Sequence, residues 1–187
     1  MKKSILTFCL IFVLGASFLF AEENSALKVI TDNFGARNYS TEQVTKAELD
    51  LIIGAGLHAP SAANRQPWFF TVVQNLDLAQ QIIPQVTEGN MLIIVSAAAD
   101  NKTNASIVLD CSLAVQSIYL AAQALGLGSR IYTGPVDKIN SEFKTHLGWN
   151  ADQNAVAVVR IGRLPSGVDA VSSASPRSGA DQKVTYK

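Results

Sequence analysis

Between Ala59 and Trp68 the chain reads Ala-Pro-Ser-Ala-Ala-Asn-Arg-Gln-Pro-Trp. Ser61, Asn64, Arg65 and Gln66 put a hydroxyl, two planar amides and a guanidinium within six residues. Such groups suit the polar edge of a planar heterocycle, and Pro60 offers an apolar contact for its face. The same Pro, Ser and Asn content also describes an ordinary helix-to-strand loop. Residue types alone leave both readings open.

Other chemistries find little support. His58 and His146 are far apart and have no partners at metal-ligand spacing. There is no Gly-x-Ser-x-Gly turn for an acyl-transfer nucleophile. Gly126-Leu-Gly-Ser-Arg follows a helix pattern rather than a strand and does not continue as a dinucleotide fingerprint, so it reads as a helix stop. Cys111 lies among apolar residues and reads as core, and Asp110 reads as a buried structural partner rather than an acid or base.

The elements that must position the loop follow from periodicity. Ser25 to Phe34 reads as a short helix. Thr45-Lys-Ala-Glu48 is a capping box, and the helix it opens carries Leu49, Ile52, Ile53 and Leu57 on one side until Pro60 ends it. Trp68 to Val73 is a strand pattern, Asn75 to Val86 a short helix interrupted near Pro84, and Met91 to Ala99 a strand apolar on both faces. Residues 106–126 form the longest helix, apolar nearly all the way round but interrupted by Asp110, Gln116 and Gln123. Those polar residues argue against a membrane span. A helix with so little polar face needs cover on most sides, and in a chain this small the centre of a dimer is the favoured source of it, with a monomeric core as the alternative. Arg130 to Thr133 is a short strand, Pro135 opens a helix to about His146, and Ala155 to Gly162 is the last strand. Helices alternating with about four strands indicate an α/β or α+β sheet covered by helices, and periodicity goes no further.

The chain has 187 residues, with 15 basic and 15 acidic side chains. Lys2 and Lys3 precede an apolar run from Ile5 to Phe20, which exits through small residues to Glu22. That order predicts a signal peptide over residues 1–21, with an uncleaved anchor as the alternative. Its removal leaves 166 residues, one domain over 22–187, with 13 basic against 15 acidic residues. That charge gives no reason to expect nucleic acid as a partner. Only Cys111 remains, so no internal disulfide can form. The expected location is the periplasm or cell envelope, without stable membrane insertion after cleavage. Residues 164–187, rich in Ser, Gly and Pro, read as an extended arm.

The loop Ala59–Trp68 closely resembles the signature loop of the nitroreductase-like flavoproteins. Four further segments resemble that family in the right order. They are Ala36-Arg37-Asn38-Tyr39, the helix Asp110 to Gly126, Val158-Val-Arg-Ile-Gly162 and Ser175-Pro-Arg-Ser178. Together they cover most of residues 30–180.

The resemblance implies an α+β fold, with a central, mainly antiparallel sheet of about four to five strands flanked by helices. The long helix would lie at a dimer interface. It implies FMN held between the two subunits of a homodimer. Arg37 and Arg177 would pair with the phosphate, with Asn38 and Tyr39 beside them. Pro60, Ser61, Ala62, Asn64 and Gln66 would approach the isoalloxazine ring from the partner subunit. Thr133 and Gly134 would lie at the reactive edge, where a backbone amide can bond N5. Arg65 is expected at the surface or in the dimer contact. Hydride chemistry would belong to the cofactor, so no catalytic acid, base or metal is assigned. NADH or NADPH would be the donor, and nitroaromatics, quinones or similar small electrophiles the acceptors. An exported flavin carrier, or a non-catalytic binding module on the same fold, are the alternatives. Three features depart from the family pattern: the signal peptide, Ser175 in place of a second basic residue, and a short connection from Ala99 to the long helix that would leave the site open.

Overall fold

The computed structural model describes residues 25–98, 105–167 and 176–187. The expected signal peptide, most of the connection after the second strand, and Ser175 lie outside the described residues.

The elements run α1 (Ser25–Thr31), α2 (Lys46–Leu57), β1 (Trp68–Val73), α3 (Leu76–Ile82), β2 (Met91–Ala97), α4 (Ala105–Ala124), β3 (Leu127–Tyr132), α5 (Val136–Lys138), β4 (Asn154–Arg163) and α6 (Ala180–Lys183). The four strands form one sheet in the order β1-β2-β4-β3. Every neighbouring pair is antiparallel, and a register shift between Val95 and Ser96 kinks β2 against β4. This is the antiparallel α+β architecture expected.

The unbroken apolar run of β2 follows from its place inside the sheet. All seven of its residues are buried, and alternate side chains serve two different cores. Ile93 and Val95 point with Val159 and Ile161 into a core closed by Ile52 of α2 and by Ala114, Val115 and Ile118 of α4. Leu92 and Ile94 point the other way with Val158, under Ala79 and Ile82 of α3 and under Ile139 and Phe143.

The capping box at α2 forms as read. The Glu48 N–H donates to Thr45 Oγ1 at 3.3 Å, and the Thr45 N–H donates to Glu48 Oε2 at 2.8 Å. Arg163 Nη2 also donates to that carboxylate at 3.0 Å, tying the start of α2 to the end of β4. The Thr45 backbone bond, chief among these contacts, holds the Glu48 carboxyl below its usual range.

By length and composition α4 could cross a membrane, but here one side of it covers the sheet. Asp110, Cys111, Ala114, Val115, Ile118, Tyr119 and Ala122 are buried on that side. Leu109, 61% exposed, and Leu113, 37% exposed, remain on the other. The helix that looked apolar all round therefore has a second apolar stripe that its own chain does not cover.

Two expectations need correcting. Gly126, at φ +75°, is the stop of α4, whereas Gly128 belongs to β3 and lies under Tyr39 and Leu164. The helix after Pro135 is only one short α-turn, continued by a π-helical turn Ile139–Phe143. The wider turn sets both Ile139 and Phe143 into the core.

Gly56 marks the close approach of α2 to α4. A Cβ there would stand 2.8 Å from Ile118 Cγ1 and 3.0 Å from Phe70 Cζ. Gly56→Ala is expected to overpack this contact and cost about 1–3 kcal/mol, read as a lower urea midpoint. An unchanged midpoint would show that the two helices are not locked at this distance.

Candidate functional site

The loop after α2 adopts a backbone that its residue types do not favour. Ala63, Asn64 and Gln66 have φ of 52°, 54° and 47°. Asn tolerates the left-handed region, but Ala and Gln sit there at a cost of roughly 1–2 kcal/mol each. Such a shape persists only where the surroundings fix it.

Asp110 is what fixes it. Its carboxylate, with the side chain only 3% exposed, accepts from the Ala62 N–H at 3.0 Å and from Arg65 Nη2 at 3.0 Å. The same Arg65 nitrogen donates to Ser106 Oγ. Arg65 thus anchors the loop to α4, and Asp110 is the buried structural partner it was read to be. Inside the loop, the Gln66 N–H donates to Ser61 Oγ at 3.0 Å, and Gln66 Nε2 donates to Asn64 Oδ1 at 2.9 Å. This leaves Asn64 Nδ2 as a donor and Gln66 Oε1 as an acceptor, side by side on exposed residues without a partner among the described residues. Pro60 and Ala62 are exposed beside them, with Ser61 half-buried. The result is a rigid rim with one donor, one acceptor and a proline face.

A second group forms at the other end of α4. Gln123 Oε1 accepts from the Phe34 N–H at 3.2 Å, and Gln123 Nε2 donates to the Phe34 carbonyl at 2.9 Å. Ser129 Oγ donates to the Tyr119 carbonyl at 2.8 Å, and the Ala36 N–H donates to the Ser129 carbonyl at 2.9 Å. These bonds pin an arm, residues 33–40, along the outer edge of β3. Tyr39 turns inward from that arm. Its ring lies 4.1 Å from the Arg160 guanidinium carbon, over positions 128 and 162, where any side chain would collide with it. Burial pushes its hydroxyl pKa up, and the Arg160 cation pulls it part of the way back. With Tyr39 as the fastening, Arg37 and Asn38 point outward, exposed and without a partner among the described residues.

Thr133 and Gly134 follow β3 in an exposed turn, where the Thr133 carbonyl accepts from the Val136 N–H at 3.1 Å. A cavity of about 350 Å³ opens beside Gly134, lined in part by Pro84, Gln85, Tyr132 and Lys138. Arg177 is exposed just before α6.

Within one chain the loop and the arm stay apart. Their anchors, Asp110 and Gln123, are 13 residues apart on one helix, or about 20 Å at 1.5 Å per residue. Gln123 and Ser129 were not singled out as site residues in the sequence. The available signal was the polar interruptions of an otherwise apolar helix, which mark where neighbouring backbone must be satisfied.

Comparison with known proteins identifies the family and the fold. The sequence model described as the Nitroreductase family matches residues 35–98 and 84–163. A protein of Archaeoglobus fulgidus, named as a candidate NADH dehydrogenase/NAD(P)H nitroreductase, is 39% identical over 111 residues. That match covers 55% of this chain and 64% of the Archaeoglobus protein, so the chain spans less than two thirds of that relative's length. A candidate nitroreductase from Desulfovibrio desulfuricans, solved in complex with FMN, superposes with a TM-score of 0.72 at 26% identity, covering 88% of this chain and 98% of that one. A nitroreductase with bound FMN from Desulfitobacterium hafniense DCB-2 has the same TM-score at 23% identity, with the same coverage, and so shares the fold.

Asp110→Ala is expected to release the loop. Hydrogen bonds to a charged group are worth about 1.5–3 kcal/mol each, so amide exchange at Ala62 and Gln66 should speed up by at least about tenfold while β2 amides stay protected. Equal protection of the loop in the variant would show that Asp110 does not hold it.

Proposed function

The chain belongs to the nitroreductase family, and from that premise we propose that it is an FMN-dependent oxidoreductase. It takes electrons from NADH or NADPH and passes them to nitroaromatics, quinones or similar small electrophiles in two half-reactions. One observation carries the reading. The chain holds a rigid, ring-matching rim and an outward-facing arginine at opposite ends of one helix, each fixed by its own polar anchor on that helix.

The residues present fit FMN. Asn64 Nδ2 and Gln66 Oε1 offer a donor and an acceptor to the polar edge of a flavin, and Pro60 offers an apolar face. Arg37 offers an uncommitted guanidinium, which bonds phosphate through its planar fork. The exposed turn at Thr133 and Gly134 offers backbone amides, and Arg177 is a second cation for the phosphate. Bound FMN would supply the hydride chemistry at N5. The protein would supply position, hydrogen bonds and exclusion of water, which needs no acid or base from the chain.

The two halves of the site meet if the working unit is a homodimer. A twofold axis across the middle of α4 lays the loop end of one copy against the arm end of the other. The stripe with Leu109 and Leu113 is the surface such an axis would bury. The order of Lys2, Lys3 and the apolar run supports export of this enzyme to the cell envelope after loss of residues 1–21.

The purified chain is expected to show flavin absorbance bands that bleach when NADH or NADPH is added without oxygen, and that return on adding a quinone. Bands that stay oxidised with both nicotinamides point to a carrier role, and a colourless protein that FMN cannot reconstitute overturns the flavin reading. Leu113→Asp places a charge on the exposed stripe rather than in the core, where Val115 lies. It is expected to give a monomer by sedimentation and to lose FMN in the same step. A monomer that keeps its flavin would contradict a site shared between subunits.

A further inference from the structure

Asp110 is the only charged residue of α4, and it is buried. The solvent side of the helix therefore carries no charge. It runs Leu109, Leu113, Gln116, Leu120 and Ala124 at helical spacing. The two halves of this stripe differ in shape. Leu109 and Leu113 project from the first half into solvent. Beside the second half lies a hollow of about 500 Å³ between α1, α2 and α4, lined in part by Val29, Ile30, Ala55, Ser117, Leu120 and Ala121. None of the residues lining it is charged.

Stable dimers bury about 800 Å² on each partner. One face of a 20-residue helix, about 30 Å long and about 10 Å wide, offers roughly 300 Å². The stripe alone is too small for a twofold pair, so a second copy must also cover apolar surface beside it. The hollow supplies that surface. It is continuous with the stripe through Leu120, and Ile30 stands exposed on its rim.

A twofold axis across α4 runs the two copies of the helix in opposite directions, with the knobs of one over the hollow of the other. When the axis passes beside Gln116, Leu109 of one copy comes level with Ala124 of the other, and Leu113 with Leu120. The same register brings Asp110 level with Gln123, so the loop held by the first faces the arm held by the second. The seat for a leucine and the closure of the split site thus select one register. Gln116 then lies beside its own twin, and an amide can both donate to and accept from another.

We infer that the hollow beside the C-terminal half of α4 is the seat for Leu109 of a second copy of this chain, and that this seat sets the register of the shared site. The inference rests on the homodimer reading and adds to it an anchor, a register and a role for α1.

The test is a cross-link whose pairing depends on that register. The double variant Leu109→Cys, Ala124→Cys is expected to give a disulfide-linked dimer under mild oxidation, read on a non-reducing gel. Each single variant should stay unlinked, since 15 residues of helix set a cysteine about 22 Å from its own twin, beyond the reach of a disulfide. Cys111 is buried and does not compete. Leu109→Ser removes a leucine from each side of the interface and should raise the dimer dissociation constant by about thirtyfold or more, measured by sedimentation. Its circular dichroism should not change, because Leu109 is 61% exposed in its own chain. A flavin-bearing dimer that stays unlinked in the double variant, that links through either single variant, or that keeps its dissociation constant in Leu109→Ser overturns the inference and leaves the FMN and dimer readings standing. A wild-type chain that sediments as a monomer sinks the shared site and this inference together.

Discussion

The length of α4 between Asp110 and Gln123 sets the plan of the molecule. Each of these side chains gives up hydration inside a mostly apolar helix, and each recovers it from backbone that would otherwise have no partner. Asp110 fixes the strained loop, and Gln123 fixes the arm. The helix between them is held by Ala114, Val115, Ile118 and Ala122 against β2 and β4, so the two polar anchors cannot approach one another. The spacing of the candidate site is therefore a property of a rigid rod, independent of loop conformation.

The electrostatics of the two ends differ in kind. At the loop, a guanidinium and a buried carboxylate neutralise each other, and what remains exposed is neutral: an amide donor, an amide acceptor and a proline. At the arm, Arg37 is exposed without a carboxylate partner among the described residues, and Tyr39 covers the buried Arg160 with the face of its ring. A flavin mononucleotide has the same division, with a neutral planar ring at one end and a dianionic group at the other. The match of polarity, end by end, supports the functional reading more strongly than any single contact.

The parts of this arrangement that sequence reveals are those made by near neighbours. The capping box of Thr45 and Glu48 lies within four residues, so its pattern predicts its structure. The continuous apolar run of β2 reflects burial on both faces, and the density of polar groups from Ser61 to Gln66 marks the loop before any fold is known. Gly128 shows the limit. Next to Gly126 it looks like part of a helix stop, but it is a strand residue kept bare because Tyr39, 89 positions earlier, lies on it. The π-helical turn at Ile139–Phe143 is hidden for a similar reason, since the demand for two core contacts overrides helix periodicity there.

Sequence by itself determined the element types, a sheet covered by helices, the signature loop and the arginine-bearing arm, because these depend on local propensity, hydrophobic period and motif, while the antiparallel α+β class was readable only through the family resemblance those motifs carry. Tertiary structure alone decided which polar side chains are spent on holding the fold and which are left to meet a ligand. Arg65 and Arg130 are the same residue type on the same chain, yet one is committed to Asp110 and the other lies over the Tyr132 ring with no ion pair among the described residues. The difference depends on which groups packing brings within three or four ångströms, a distance that separation along the chain does not encode.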